Sequence, residues 1–504
     1  MTYVKRYAKI AKRPLKTELS GNKPKSRFGL LSDSSNTRMK GGKMSERLLY
    51  LGGSSFNKKN DGLGPSSVAL QIGEGQAIGV DCGLELLPKG RYGLPDFSLL
   101  RSERLKLEAL VLTHPHLDHV GGVGPASEYG IFAADAKILA SPQTNEILRT
   151  VLHDTWSRGL GQDYYSGVNV PLKLRRNIPL GEFEILPGIR AFTGAAGHVP
   201  GALYIVIQTP SGKKILFCGD NGWHEQEVVG GSSLPDGIPD SWLPDVIAVT
   251  DLTNPSLTSF DYELEGGRLT NHAINSFRAG KIEVYAGFAI GRVQNLALKL
   301  VKAGIRPVYV DGSGVQNFRI FKENRWSPCD RDFSLEGVEF IEGGTAQREE
   351  LLARGGPLVI VTPAGFGDGG PVRYYLERGL ENPNFEFIAT SWLMPGCTME
   401  TLLQKVKKRE TVGHPVHLVL EDESGGNKRP FNVRCEAHHF HLSAHGGLGD
   451  TAKMVKEVVS RRGKNLEMIV LTHGTQESRR LAASVLRPYA NSVIYGQIGT
   501  VINL

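Results

Sequence analysis

Cysteine is scarce in this 504-residue chain, and what there is does not pair. Cys82, Cys218, Cys329, Cys397 and Cys435 are scattered, odd in number and never spaced C-x-x-C. That excludes a disulfide framework or a thiolate zinc site and points to a reducing, cytoplasmic setting. No run of about 18 apolar residues occurs, so no membrane partner is expected. No basic-then-apolar leader opens the chain, which predicts no secretory signal. Acidic residues are almost missing from residues 1–44, where 12 Lys/Arg face only Glu18 and Asp33. That arm therefore carries +10 and the remainder −3, which together give the net charge of +7. A basic arm over residues 1–45 is expected to be flexible, binding phosphate backbones or serving as a solubilising tail. A start at Met44 and an acid-poor transit segment are the other readings of the same stretch.

What is present is a chain 40% hydrophobic and 22% charged, long enough for two or three domains. Residues 113–122 read T-H-P-H-L-D-H-V-G-G, placing His114, His116, Asp118 and His119 within six positions. The apolar run 107–112 before them predicts a buried strand, so the cluster stands at a strand end where several side chains aim into one cleft. Imidazole and carboxylate together suit zinc and related divalent ions. Side chains 114 and 116 can converge on one ion, and 118 and 119 on a second.

Further candidates follow at strand ends. Expected strands at 47–52, 67–72 and 76–80 lead to Asp81, a carboxylate able to orient a metal-binding histidine through its free ring nitrogen. A helix is expected over 142–156 and a loop over 159–170. Strands at 189–192 and 202–208 bracket G-A-A-G-H-V-P-G-A, with His198 among small residues. A strand over 214–218 runs into Asp220, and one over 245–249 into Asp251. His153 reads as helix surface and His224 as a weak cleft candidate. From about residue 256 strands and helices alternate (283–287, 293–302, 307–311, 358–362, 372–378, 385–390, 399–407), predicting a parallel sheet with helices on its faces. Residues 313–356 read as an irregular connection. Strands are expected again at 414–420, 432–440 and 468–471, with helices at 450–461 and 477–487. His445 lies in L-S-A-H-G-G and His473 in T-H-G-T.

Seven motifs in this order resemble the β-CASP branch of the metallo-β-lactamase superfamily, over residues 46–504. Asp81 is similar to its first motif, His114-x-His116-x-Asp118-His119 to the second, and His198 and Asp220 to the third and fourth. Asp251, His445 and His473 are similar to motifs A, B and C. The segments G-F-A-I-G-R-V-Q-N at 287–295 and A-G-F-G-D-G-G-P at 364–371 resemble loops that edge the family's cleft.

The resemblance implies an α/β fold, a metallo-β-lactamase αββα sandwich with an inserted β-CASP α/β domain. The sandwich is expected over 46–255 and 411–504, the insertion over 256–410. It implies two Zn2+ ions: one held by His114, His116 and His198, the other by Asp118, His119 and His473, with Asp220 bridging. Asp118, Asp251 and His445 are the implied catalytic residues. The implied activity is metal-dependent hydrolysis of phosphodiester bonds in single-stranded RNA, the partner in the cleft; a homodimer is left open.

A histidine in motif C resembles RNA-directed members, where DNA-repair members carry an aliphatic residue. A-G-H-V-P-G-A is similar to cleavage-and-polyadenylation endonucleases, whereas D-L-T-N at 251–254 is closer to the D-S-T-N of ribonuclease J, a 5′-3′ exonuclease pattern. Three other readings stand beside these: a β-CASP DNA nuclease, a small-molecule hydrolase, and a metal-free RNA-binding scaffold. The inserted lid argues against the small-molecule enzyme, and a full ligand set against the scaffold.

Overall fold

The strand Val246–Val249 and the strand Leu466–Leu471 are hydrogen-bonded neighbours, parallel and in register at Val246 with Met468 and Ile247 with Ile469. Everything between them in sequence is an excursion from one sheet. The computed structural model describes residues 46–53, 64–87, 91–257, 261–412, 415–421 and 428–504. The basic arm, and the first residue of the strand expected over 414–420, lie outside the described residues.

Two seven-stranded sheets pack face to face. One runs, in spatial order, from Val501–Asn503 through Arg47–Tyr50, Val68–Gly73, Gln76–Val80, Lys106–Val111 and Phe132–Ala140 to Arg175–Asn177. The other runs from Ala490–Tyr495 through Leu466–Leu471, Val246–Val249, Lys214–Phe217, Leu203–Gln208 and Ile189–Ala195 to Gly181–Leu186.

Alternation along the strands explains the layering, because successive side chains point to opposite faces. Leu48 and Tyr50 of one sheet meet Leu203, Ile205 and Ile207 of the other in the central core. Leu49 and Leu51 point the other way, onto Leu148 and Leu152 of the helix Pro142–Thr155. Tyr204 and Val206 turn outward onto Met454, Val455 and Leu486 of the helices Leu448–Arg462 and Gln476–Leu486. Strands covered on both faces read as near-continuous apolar runs, as residues 48–50 and 203–207 do. The order helix, sheet, sheet, helix is the αββα sandwich expected from the sequence.

The excursion builds a third sheet of six strands, in spatial order Val338–Ile341, Val308–Asp311, Leu358–Pro363, Ile282–Gly287, Phe385–Ala389 and Glu436–His439. All its pairings are parallel, so the four central strands end on the edge from which their loops emerge together.

Several expectations give way here. Residues 313–356 are not irregular: they hold the helix Ser313–Glu323, the edge strand Val338–Ile341 and the helix Gly344–Ala353. Val315, Phe318, Ile320 and Phe321 bury one face of the first helix, a pattern masked by the charged residues on its other side. Residues 156–169 contain π-helical turns at Trp156–Leu160 and Tyr165–Asn169 rather than a plain loop. The strand expected over 432–440 is two strands broken at Val433. Lys428–Asn432 forms a hairpin with His417–Glu421, while Glu436–His439 joins the third sheet beside Phe385–Ala389. The insertion's sheet thus reaches His439, past the boundary expected at 410.

Candidate metal centre

Each candidate side chain leaves a strand end through a short, tightly held connection. After Lys106–Val111 the chain passes Thr113 and His114 into the helical turn Leu117–Val120, which carries Asp118 and His119. Backbone bonds hold that turn: Cys82 N–H donates to His119 O at 2.8 Å, Ser66 N–H to Asp118 O at 2.8 Å, and Leu84 N–H to Leu117 O at 3.0 Å. Gly83 is required beside it, since a Cβ there would stand 1.7 Å from Asp118 O. Asp81 has φ +58°, a strained conformation for a residue with a side chain. Its carboxylate accepts from Thr113 N–H at 2.8 Å and meets His119 Nδ1 at 2.7 Å. With Nδ1 so engaged, His119 presents Nε2 inward.

Two sets of donors converge on one carboxylate. His114 Nε2 and His198 Nε2 each lie 3.1 Å from His116 Nδ1, and they lie 3.5 and 3.8 Å from Asp220 Oδ2. On the other side, His119 Nε2 and His473 Nε2 lie 3.3 and 3.2 Å from Asp220 Oδ1, and 4.0 and 3.8 Å from Asp118 Oδ2. Donor atoms bound at about 2.0–2.1 Å around a tetrahedral ion stand roughly 3.3 Å from one another, which is this spacing. Asp220 therefore turns one oxygen to each set.

The chemistry of the set agrees with metal ions. His114 and His198 are fully buried, and burial with neighbouring imidazoles holds both well below the usual histidine range, the neutral form a metal needs. Among the described residues, His119 Nε2, Asp220 Oδ1 and His473 Nε2 are buried without a hydrogen-bond partner. Buried polar atoms are almost always satisfied, so three orphans facing one point need a ligand there.

Asp251 and His445 adjoin the centre. His445 Nδ1 is 2.9 Å from Asp251 Oδ2, and Asp251 also accepts from the backbone N–H of Asn221 at 3.1 Å and of Thr253 at 3.1 Å. Burial acts to lower the His445 pKa, but Asp251, aided by Asp220 and Asp118, outweighs it and pushes the pKa up to about 9. The loop after Ile282–Gly287 closes the other side, with Ile290 O 3.2 Å from His116 Nε2.

All the sequence candidates, Asp81, His114, His116, Asp118, His119, His198, Asp220, Asp251, His445 and His473, are brought together. His153 lies outside, exposed and 3.3 Å from Tyr164 Oη. His224 stacks on Tyr262 with centroids 4.5 Å apart, and burial, then Arg292, draws its pKa down to about 4. Sequence reasoning missed Thr113 and Ile290, whose roles are made by backbone atoms or a common hydroxyl and leave no signature. It also missed a separate trio, His272, Glu386 and His438, whose donor atoms lie within 4.8 Å of one another in the inserted region.

Comparison with known proteins agrees with this geometry. Residues 61–255 match the metallo-beta-lactamase superfamily. The chain is 22% identical to "Probable RNase MJ4" of Methanocaldococcus jannaschii, over 85% of this chain and 93% of that protein. It is 24% identical to "Ribonuclease TTHA0252" of Thermus thermophilus, over 70% of this chain and 82% of that one. A crystal structure of a protein of unknown function from Enterococcus faecalis shares the fold, with TM-score 0.54 and 11% identity over 91% of this chain and all of that one. The αββα sandwich, the matching metallo-β-lactamase domain and an insertion between two adjacent strands are together consistent with a β-CASP member of that superfamily.

Proposed function

We propose that the protein is a zinc-dependent ribonuclease that hydrolyses phosphodiester bonds of single-stranded RNA, cutting internally. The observation that supports this most is Asp220, whose two carboxylate oxygens face two separate sets of nitrogen and oxygen donors. In this reading His114, His116 and His198 hold one ion, Asp118, His119 and His473 the other, and Asp220 bridges. Ions held there would supply Lewis acidity against the phosphate oxygens and an activated water. Asp81 would fix the His119 tautomer. Asp251, by accepting from His445 Nδ1, would keep that ring protonated and leave Nε2 to donate its proton to the departing 3′-oxygen. The products would carry a 3′-hydroxyl and a 5′-phosphate, with no cyclic intermediate, because the ribose 2′-hydroxyl is not the nucleophile.

The named relatives support RNA as substrate, and so does the histidine at 473. The segment around His198 supports internal cutting; D-L-T-N at 251–254 favours the 5′-exonuclease alternative. A circular RNA decides between them. Linearisation by the wild type and not by His116→Ala is the expected result. An intact circle beside linear RNA degraded to mononucleotides would assign the exonuclease mode. Cleavage of single-stranded DNA alone would overturn the RNA assignment.

A further inference from the structure

Three aromatic rings stand at one edge of the six-stranded sheet, each from the loop after a different neighbouring strand. Phe288 follows Ile282–Gly287, Phe366 follows Leu358–Pro363, and Trp392 follows Phe385–Ala389. Phe366 is the middle ring, 5.6 Å from Phe288 at 87° and 5.9 Å from Trp392 at 80°. These edge-to-face contacts set the rings against one another. The outer two remain open, Phe288 at 38% and Trp392 at 52% exposure. Large apolar side chains grouped on a surface mark a contact site rather than a core.

The patch is tied to the metal centre on two sides. Ile290, two residues past Phe288, places its carbonyl 3.2 Å from His116 Nε2. The intervening Ala289 O accepts from Asn317 Nδ2 at 2.8 Å and Gln294 Nε2 at 3.1 Å, so the loop is pinned. On the other side, His439 Nε2 lies 2.8 Å from Ser391 O, joining the Trp392 loop to the strand whose continuation carries His445. The two outer rings thus sit in loops bonded to His116 and to the strand that leads to His445.

We infer that Phe288, Phe366 and Trp392 form a stacking platform for unpaired nucleobases flanking the scissile phosphate. The inference rests on the ribonuclease reading and adds where and how the strand is held. Every nucleobase has a π-face, so the platform accepts any sequence, whereas a duplex keeps its faces stacked internally and gains nothing. Selection for single strands would thus lie in the rings, apart from the chemistry.

The test uses full-length protein purified with its metal and one RNA oligonucleotide with a mapped cut. The same RNA is prepared with a single abasic ribose at each position flanking that cut. Trp392→Ala and Phe288→Ala are expected to raise KM roughly 5- to 100-fold, the usual loss for one base–aromatic stack, with kcat at saturation retained. Trp392→Phe keeps a ring and is expected to retain most of the affinity. In the wild type, an abasic site at one or two positions is expected to raise KM by a similar factor, and in the alanine variants it adds little further. An unchanged KM in the variants, variant and abasic losses that multiply independently, or a wild type insensitive at every position overturns the platform. The abasic scan needs no variant and so stands even if a substituted protein misfolds. If the wild type cuts no RNA, the ribonuclease reading falls. Equilibrium binding of the intact oligonucleotide then still judges the platform, which fails if wild type and Trp392→Ala bind equally.

Discussion

Asp251 Oδ2 stands 2.9 Å from His445 Nδ1, a contact between residues 194 apart in sequence. It joins the last strand before the inserted region to the loop that follows it. Removing the imidazole should therefore damage the chemistry and spare the metal donors on the other side of Asp220. His445→Ala is expected to lower kcat by about 10²–10⁴-fold, the usual worth of general acid catalysis, with metal content unchanged. Metal analysis beside single-turnover rates checks this; collapse of metal content would make His445 a ligand instead.

Asp81 engages His119, one of the candidate metal donors. Its carboxylate is 2.7 Å from His119 Nδ1, and His119 turns Nε2 toward Asp220. Asp81→Ala should weaken metal retention by about 10- to 100-fold, as is typical when such an orienting partner is removed. Competition against a chelator measures it, and retention equal to wild type would reduce Asp81 to a turn residue.

Glu283 makes stability depend on pH. It is fully buried on the strand Ile282–Gly287, Oε1 accepts from Tyr285 Oη at 2.8 Å, and Oε2 is without a partner among the described residues. Burial, reinforced by Glu386, raises its pKa from 4.5 to about 8, while the Tyr285 hydrogen bond opposes the shift. A folded-state pKa above the unfolded one means the contribution is fully present below about 4.5 and is lost as pH rises through about 8. Glu283→Gln mimics the protonated carboxyl, so its Tm should fall less than that of wild type across that window. Parallel Tm curves for the two proteins would show that Glu283 does not titrate there.

The basic arm predicts a salt effect. Deleting residues 1–43 should weaken RNA binding and flatten its salt dependence, by roughly 0.7 in log–log slope for each phosphate the arm had neutralised. An identical slope before and after deletion would leave the arm as a solubilising tail.

The candidate site residues were legible because most of them are written locally. His114, His116, Asp118 and His119 share one turn after one strand, and Asp81, Asp220 and His473 each follow a strand in a short polar segment. The sharing of Asp220 between two donor sets was not legible from spacing. It depends on how four separate strand ends face each other. In the inserted region the helix Tyr262–Arg278 and residues 313–356 escaped reading, since glycines and charges at the exposed positions dilute their periodicity. The break at Val433 was also hidden. Residues 432–438 alternate polar and apolar side chains, and nothing in that pattern shows where a chain leaves one sheet for another.

The insertion between Val246–Val249 and Leu466–Leu471 also sets when this protein acquires activity. The donors span from His114 to His473, and the strand Val501–Asn503 closes the first sheet against Arg47. At a synthesis rate of about 5–20 residues per second, the earliest donors wait roughly 20–70 s for the last. A nascent chain that has not yet reached His473 thus lacks part of the candidate donor set. A nuclease built this way cannot cut the transcript it is being read from until the reading is nearly done.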